Sequence, residues 1–158
     1  MIKSKIYLET TLFNYYFDTD RDAHAATVRL FEQIAAGKYG AYTSGTVVEE
    51  LERAPEPKKS MMLALLKTYN ITVLPSSDEA KKLADIYIAG GIIPPRYRTD
   101  AIHIAVATVN GLESIISMNF QHIVNLKTQH MTNVANILNG YLPVEIISPM
   151  EIVNNENT

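Results

Sequence analysis

The chain of 158 residues contains no cysteine and no tryptophan. Without cysteine it has no disulfide framework, no cysteine-ligated zinc site, no iron–sulfur cluster and no thiol nucleophile. No run of about 18 apolar residues occurs, so no transmembrane helix is expected. Residues 1–9 also lack the pattern of a secretory signal peptide. Together these absences predict a cytoplasmic protein with no membrane partner.

An excess of positive charge is also missing. The chain has 14 Lys and Arg residues and 17 Asp and Glu residues, so its formal net charge is −3. Tight non-specific binding to duplex DNA is therefore not expected. Hydrophobic residues make up 47% and charged residues 20%, which excludes global disorder. The length suits one domain over residues 1–150, followed by a polar tail over residues 151–158.

Short apolar runs alternate with longer helical patterns along the chain. The first run, Lys5 to Leu8, is apolar on both faces, as in a buried parallel strand. Four more strands are predicted at residues 40–43, 71–74, 114–117 and 144–147, with one or two helices expected within 119–138. Strands that alternate with helices predict an α/β fold with a mainly parallel, roughly five-stranded sheet.

Local signals also predict where two of the helices begin. Ser76 and Glu79 have the spacing of a capping box, and Thr99 is expected to cap a helix that begins at Asp100. That second helix is apolar nearly all round as far as Ala107. It is therefore predicted to lie in the centre of the fold.

Four side chains with oxygen donors follow predicted strands or open the buried helix: Glu9, Glu50, Asp100 and Asn119. Ligands of parallel sheets gather at the carboxyl ends of the strands, so all four are expected at one edge. Carboxylates held together repel, and their burial is costly unless a cation neutralises them. Mg²⁺ takes such oxygen ligands and retains waters that can attack a phosphodiester. All four are therefore candidate metal-binding and catalytic residues.

Most of these residues also have a purely structural explanation. Asp100 in a first helical turn complements the helix dipole, and Asn119 suits a turn or a cap. Glu49 and Glu50 together can form the solvated face of a helix. Glu9 is harder to explain in this way, because an acid directly after an apolar strand needs a partner or a ligand.

Two histidines and a basic loop lie close to these candidates in sequence. His103 and His122 each follow a candidate by three residues, and both are interpreted as structural rather than metal-binding. Arg96, Tyr97 and Arg98 combine two guanidinium groups with an aromatic ring, which suits a phosphate backbone and a stacked base. A solvated loop with balanced charge is the alternative. Arg96 and Arg98 are therefore candidate substrate-binding residues.

Four segments of the chain resemble the PIN-domain family in order and spacing, and the resemblance extends over roughly residues 4–148. They are residues 6–11 (IYLETT), 43–51 (TSGTVVEEL), 100–105 (DAIHIA) and 117–123 (SMNFQHI). The third segment, with the strand and the Asn-Phe pair that follow it, is the most specific. The whole is most similar to the compact bacterial branch that includes the VapC toxins of toxin–antitoxin pairs.

The resemblance implies a three-layer α/β sandwich and a metal-dependent endoribonuclease that leaves 5′-phosphate and 3′-hydroxyl ends. The family's Mg²⁺ or Mn²⁺ site would fall on Glu9, Glu50, Asp100 and Asn119. Thr11 matches the small hydroxyl residue that supports the first acid. The resemblance further implies an RNA substrate, an antitoxin protein as partner and a homodimer.

Two positions depart from the family's pattern. The first acid is usually Asp, whereas Glu9 is one methylene longer, and the fourth position is the uncharged Asn119. The site would then have three formal negative charges instead of four. These departures support a second hypothesis, a PIN-like binding module with weakened catalysis that acts through protein or RNA partners. No glycine-rich dinucleotide or phosphate-binding motif is present, which disfavours a nucleotide-cofactor enzyme.

Overall fold

A five-stranded sheet lies at the centre of the computed structural model, which describes residues 2–154. The strands are β1 (Ser4–Leu8), β2 (Tyr39–Ser44), β3 (Thr72–Leu74), β4 (Ser114–Ile116) and β5 (Glu145–Ile147). Their order across the sheet is β3-β2-β1-β4-β5, and every neighbouring pair is parallel. The predicted α/β fold with a parallel five-stranded sheet is confirmed.

Helices flank this sheet and connect its strands. They are α1 (Thr10–Tyr15), α2 (His24–Ala35), α3 (Gly45–Glu52), α4 (Lys58–Thr68), α5 (Asp78–Ala89), α6 (Arg98–Val109), α7 (Leu126–Leu138) and α8 (Pro149–Asn154). Helix α2 packs against α8 and β2, whereas α6 packs against α3, α5 and β4. No helix among the described residues has the length and hydropathy needed to span a bilayer.

The central strand and the central helix are the most completely buried elements. In β1, Ile6, Tyr7 and Leu8 are each at most 1% exposed, because the strand has a neighbour on both edges and helices on its faces. Residues 101–108 of α6 are all buried. The prediction of a central helix here is confirmed, and its uniform apolar surface follows from contact with protein on every side.

The two predicted helix caps are wrong by one or two residues. Helix α6 begins at Arg98, because a 3₁₀ turn over Pro95–Tyr97 runs directly into it, and Thr99 therefore lies inside the helix. Ser77 caps α5 by accepting a hydrogen bond from the amide of Ala80 at 3.2 Å. The hydroxyl of Ser76 is instead 2.6 Å from that of Thr46, on α3.

The last described helix crosses the expected domain boundary at residue 150. Helix α8 continues to Asn154, buries Ile152 and packs against α2. The first part of the expected tail is therefore part of the packed fold. Residues 155–158 lie outside the described residues.

A turn held by one asparagine connects β4 to α7, so the region predicted as one or two helices contains a turn followed by one helix. Oδ1 of Asn125 accepts a hydrogen bond from the amide of Thr128 at 2.9 Å and caps α7. Its Nδ2 donates to the carbonyls of Phe120 and Gln121 at 3.1 and 3.2 Å. One side chain therefore fixes both the helix start and the turn that contains Asn119.

Asn125→Ala is expected to lower the free energy of unfolding by about 0.5–2 kcal/mol, the usual range for the loss of an N-cap side chain. Urea denaturation followed by circular dichroism measures this change. Gln121→Ala is the matched control, because Gln121 is exposed and its side chain bonds to none of residues 2–154. The control should change stability by less than about 0.5 kcal/mol. Equal stability of both variants and the wild type would contradict the role of Asn125.

Candidate active site at the carboxyl edge of the sheet

The strand order reverses between β1 and β4. The four candidate residues lie on different segments near the carboxyl edge of the sheet at this reversal. From β1 the chain continues outward to β2 and β3 on one side, whereas β4 and β5 lie on the other. Glu9 follows β1 directly, Glu50 lies on α3, Asp100 lies in the first turn of α6, and Asn119 follows β4. A crevice at such a reversal is the usual ligand site of a parallel sheet.

Glu9 is buried, with 3% of its surface exposed, and is held through one oxygen. Oε1 accepts hydrogen bonds from the hydroxyls of Thr11 and Ser117, both at 2.6 Å, and from the amide of Thr11 at 3.3 Å. The hydroxyl of Thr11 also accepts from the amide of Met118 at 2.9 Å. Thr11 therefore links the end of β1 to the end of β4.

Burial raises the pKa of Glu9, although the charge of His103 and the hydrogen bonds from Ser117 and Thr11 partly oppose that effect. The Oε2 atom of Glu9 accepts no hydrogen bond from residues 2–154. The fold thus holds a carboxylate where its charge is costly and leaves one of its oxygens available to a ligand.

Glu50 is held in a similar way by two other donors. Its Oε1 accepts from the hydroxyl of Thr10 at 2.5 Å and from Nε2 of His103 at 2.8 Å. Burial raises the pKa of Glu50, but the hydrogen bond and charge of His103, the hydrogen bond from Thr10 and the charge of Arg53 together outweigh burial. The net pKa is therefore below the ordinary value. The side chain remains 30% exposed, so it faces the crevice.

His103 is fully buried and connects Glu50 to the sheet. Its Nδ1 lies 2.6 Å from the hydroxyl of Tyr7 on β1, and that hydroxyl lies 2.7 Å from Oγ of Ser44 at the end of β2. This burial agrees with the interpretation of His103 as a structural residue, and its partners are side chains, one of which is a candidate acid.

All three carboxylates act electrostatically on this single imidazole. Burial lowers the pKa of His103, but the hydrogen bond to Glu50 and the charges of Glu9, Glu50 and Asp100 raise it, and the net pKa is above the ordinary value. The acids therefore act on one common group at one edge of the sheet, although they come from three different elements.

Asp100 contacts the turn after β4 through His122. Its Oδ2 lies 3.1 Å from Nδ1 of His122, and the two side chains are 17% and 11% exposed. The ring of Tyr97 stacks on His122 with a centroid distance of 3.9 Å. Oδ1 of Asp100 makes no hydrogen bond to residues 2–154, so this third carboxylate also has one oxygen available.

Asn119 forms a turn, in agreement with the purely structural explanation of this residue. Its Oδ1 accepts from the amide of His122 at 3.0 Å, and its own amide donates to Oγ of Ser117 at 2.9 Å. The amide oxygen that would bind an ion therefore already accepts a hydrogen bond within the turn. Its second lone pair remains for a ligand or a water.

The two candidate arginines have different surroundings. Arg98 pairs with Asp85 on α5, with 2.9 Å between Nε and Oδ1. This pairing agrees with the alternative of a solvated loop with balanced charge. Arg96 lies over the ring of Tyr97, with 5.4 Å between Cζ and the ring centroid. Because Tyr97 stacks on His122, Arg96 is the one connected to the side of the site that contains Asp100.

The donor set fits a hard divalent cation that retains several waters. Each of Glu9, Glu50 and Asp100 has one oxygen fixed by protein donors and a second oxygen without a hydrogen bond from the described residues. Fixed partners of this kind orient metal ligands, and Mg²⁺ often binds proteins through only one or two carboxylates. Within residues 2–154, no three His, Asp or Glu side chains lie close enough together to hold an ion unaided. Water or substrate would complete the coordination.

The model of the PIN domain family matches residues 6–123. Among solved structures, the toxin VapC20 of Mycobacterium tuberculosis, which cleaves the sarcin–ricin loop, is 15% identical with a TM-score of 0.53, and the match covers 88% of this chain and 98% of that one. A chain of VapBC2 from Rickettsia felis, bound to a DNA fragment from its promoter, is 13% identical with a TM-score of 0.51 and covers 74% and 89%. At these identities the likeness shows the fold. No curated protein matches the chain.

Glu9→Gln is expected to raise the melting temperature of the metal-free protein near neutral pH, because it removes a buried charge. Gln keeps the oxygen that accepts from Thr11 and Ser117, and its NH₂ group replaces the oxygen without a hydrogen bond. Each kcal/mol gained raises the melting temperature of a chain this size by roughly 2–4 °C. Calorimetry in EDTA measures the shift, and Glu49→Gln on the exposed side of α3 is the matched control.

The gain should depend on pH in a defined direction. The pKa of Glu9 is raised in the folded state. Below the unfolded pKa of about 4.3 the side chain is neutral in both states and no charge is buried. Stability is lost as the pH rises through the folded pKa, so the advantage of Glu9→Gln should appear above it and disappear near pH 4. A variant that melts below the wild type at neutral pH would contradict this account.

Proposed function

The chain belongs to the PIN domain family, and on that premise we propose that it is a metal-dependent endoribonuclease that hydrolyses RNA phosphodiesters. The observation that supports this function is that three carboxylates act on one imidazole, His103, and each has one oxygen without a hydrogen bond from residues 2–154. Such a group is costly without a counter-charge, and a phosphodiester reaction needs positive charge next to the phosphate.

In this proposal Glu9, Glu50 and Asp100 bind Mg²⁺ or Mn²⁺, and Asn119 contributes directly or through a water. A bound ion of this type supplies charge for the phosphate and lowers the pKa of a water molecule. Thr11 and Ser117 fix the longer side chain of Glu9.

The other two acids are oriented in the same manner by neighbouring side chains. Thr10 and His103 orient Glu50, and His122 orients Asp100. No side chain of the site is required as a covalent nucleophile.

We further propose that the protein is the toxin of a type II toxin–antitoxin pair, that it acts in the cytoplasm, and that an antitoxin protein is its partner. The fold shared with VapC20 and VapBC2 supports this assignment. The alternative is a binding module with weakened catalysis. Two observations favour that alternative: the turn occupies Oδ1 of Asn119, and residues 2–154 contain no ready-made group of three ligands.

Asp100→Asn is expected to reduce cleavage of a labelled single-stranded RNA by at least about 100-fold, the scale for losing one group that stabilises charge in a transition state. The fold should remain near normal stability, because the lost interaction with the helix dipole is worth about 0.3–1 kcal/mol. Magnesium should raise the melting temperature of the wild type more than that of the variant, since it binds the folded wild type more tightly.

Asp85→Asn provides the matched control, because Asp85 is an exposed acid on the neighbouring helix α5. It should retain both cleavage and the response to magnesium. Undiminished cleavage by Asp100→Asn would remove Asp100 from the site. Absence of magnesium binding by the wild type at millimolar concentration, measured by calorimetry, would favour the binding module instead.

A second copy of the chain is the other proposed partner. Among the Tyr and Met side chains considered for this contact, Met62 is 1% exposed and Tyr16 packs against Phe31, whereas Met61 is 45% exposed. Exposed apolar side chains occur instead on α7, where Ile137 is 62% and Leu138 is 79% exposed. Val134, one turn earlier on α7, is 48% exposed as well, and exposed apolar patches are typical of an interface.

Light scattering at tens of micromolar protein should therefore give twice the mass of one chain. The double variant Ile137→Lys and Leu138→Lys should give the monomer mass with an unchanged circular dichroism spectrum, because two charges would have to be buried at the interface. Val73→Lys, at an exposed apolar position on β3, is the control and should leave the dimer intact. A monomeric wild type would refute the dimer.

A further inference from the structure

A cavity of about 350 Å³ opens beside the acids, between the end of α1, the loop before α2 and the turn after β4. Its walls include Tyr15, Arg21, Met118, Phe120 and Met150. None of these residues contributes a side chain to the acidic group described above. The cavity is therefore separate from the acids, although the same turn forms part of both.

The backbone connects this cavity closely to the site. Met118 and Phe120 are the neighbours of Asn119 in the turn after β4. The amide of Met118 donates to the hydroxyl of Thr11, and that hydroxyl donates to Oε1 of Glu9. Two hydrogen bonds thus join the wall of the cavity to the buried acid.

The walls combine flat and polarisable apolar groups with one cation. Phe120 is 46% exposed although it is a large apolar residue next to the site. Arg21 lies over the ring of Tyr15, with 5.6 Å between Cζ and the ring centroid. Its Nε bonds to Asp18 at 3.1 Å, whereas its terminal nitrogens bond to none of residues 2–154. Methionine adapts to flat aromatic partners through its polarisable sulfur.

We propose that this cavity holds one unpaired nucleobase of the RNA substrate, stacked on Phe120, while Arg21 contacts a phosphate beside that base. The proposal rests on the proposed function and defines its substrate further. A base in a duplex is stacked and paired, so only single-stranded RNA or a loop can place a base here. The carboxylate of Asp22, also on the wall, repels a phosphate and can accept a hydrogen bond from an amino group of a base.

Fluorescence anisotropy with a short labelled single-stranded RNA in EDTA tests the cavity without cleavage. Phe120→Ala should weaken binding by roughly 5- to 150-fold, which corresponds to the loss of one base stacked on an aromatic ring. Phe120→Tyr should restore affinity close to that of the wild type, because it keeps the ring. Val73→Ala removes an apolar side chain of nearly equal exposure, 45%, on β3 and should leave the affinity unchanged.

A series of the same RNA with one abasic position at a time identifies the base. One abasic position should weaken binding to the wild type and have little effect on Phe120→Ala, because both changes remove the same contact. Equal affinity of Phe120→Ala and the wild type would overturn the proposal. An affinity that falls equally at every abasic position in both proteins would also overturn it. So would binding of an apolar peptide in the cavity together with RNA binding that does not depend on Phe120.

The outcomes separate this proposal from the proposed function. If the wild type cleaves RNA and Phe120→Ala binds it normally, the nucleobase cavity is refuted and the ribonuclease remains. If the wild type does not cleave RNA but the effect of Phe120→Ala on binding persists, the cavity is supported and the ribonuclease is refuted.

Discussion

The buried imidazole of His103 joins the elements that carry the acids, and the geometry of the site depends on it. Through Tyr7 it contacts the central strand, and through Glu50 it contacts α3. The hydroxyl of Tyr7 extends the chain of hydrogen bonds to Ser44 at the end of β2. Without this group, three acids on separate elements would repel one another with no common partner. With it, each acid is attracted to the imidazole, and this attraction opposes the repulsion among the acids.

Much of the fold follows from local patterns in the sequence, whereas the partners of the site residues do not. The apolar run of β1 and the uniformly apolar α6 are buried as expected, because burial on all sides leaves no polar positions in the pattern. The cap at Ser76 was wrong, since that hydroxyl bonds to Thr46, 30 residues away in sequence. The link between His103 and Glu50 spans 53 residues and has no local signal. The spacing of three residues after Asp100 was the only available indication, because it places His103 one helical turn further along α6.

The hydrogen bonds of Glu9 and Asn119 show how this structure accommodates the two departures from the family's pattern. The longer side chain of Glu9 ends among three donors, so its extra methylene does not leave it free to move. Asn119 uses its amide oxygen to shape a turn that also presents Phe120. An uncharged residue at this position reduces repulsion among the acids, and it reduces the attraction for a cation by the same change.

The pairing of β1 with β4 has a consequence for protein synthesis. The serine that holds the carboxylate of Glu9 lies 108 positions later in the chain and is synthesised correspondingly later. Until then the nascent chain can pair β1 with β2 but has no second neighbour for it, and contacts so distant in sequence form slowly. The hydrogen bond from Ser117 to Glu9 therefore forms only after both β1 and β4 have been made, and the acidic group cannot be complete before that point.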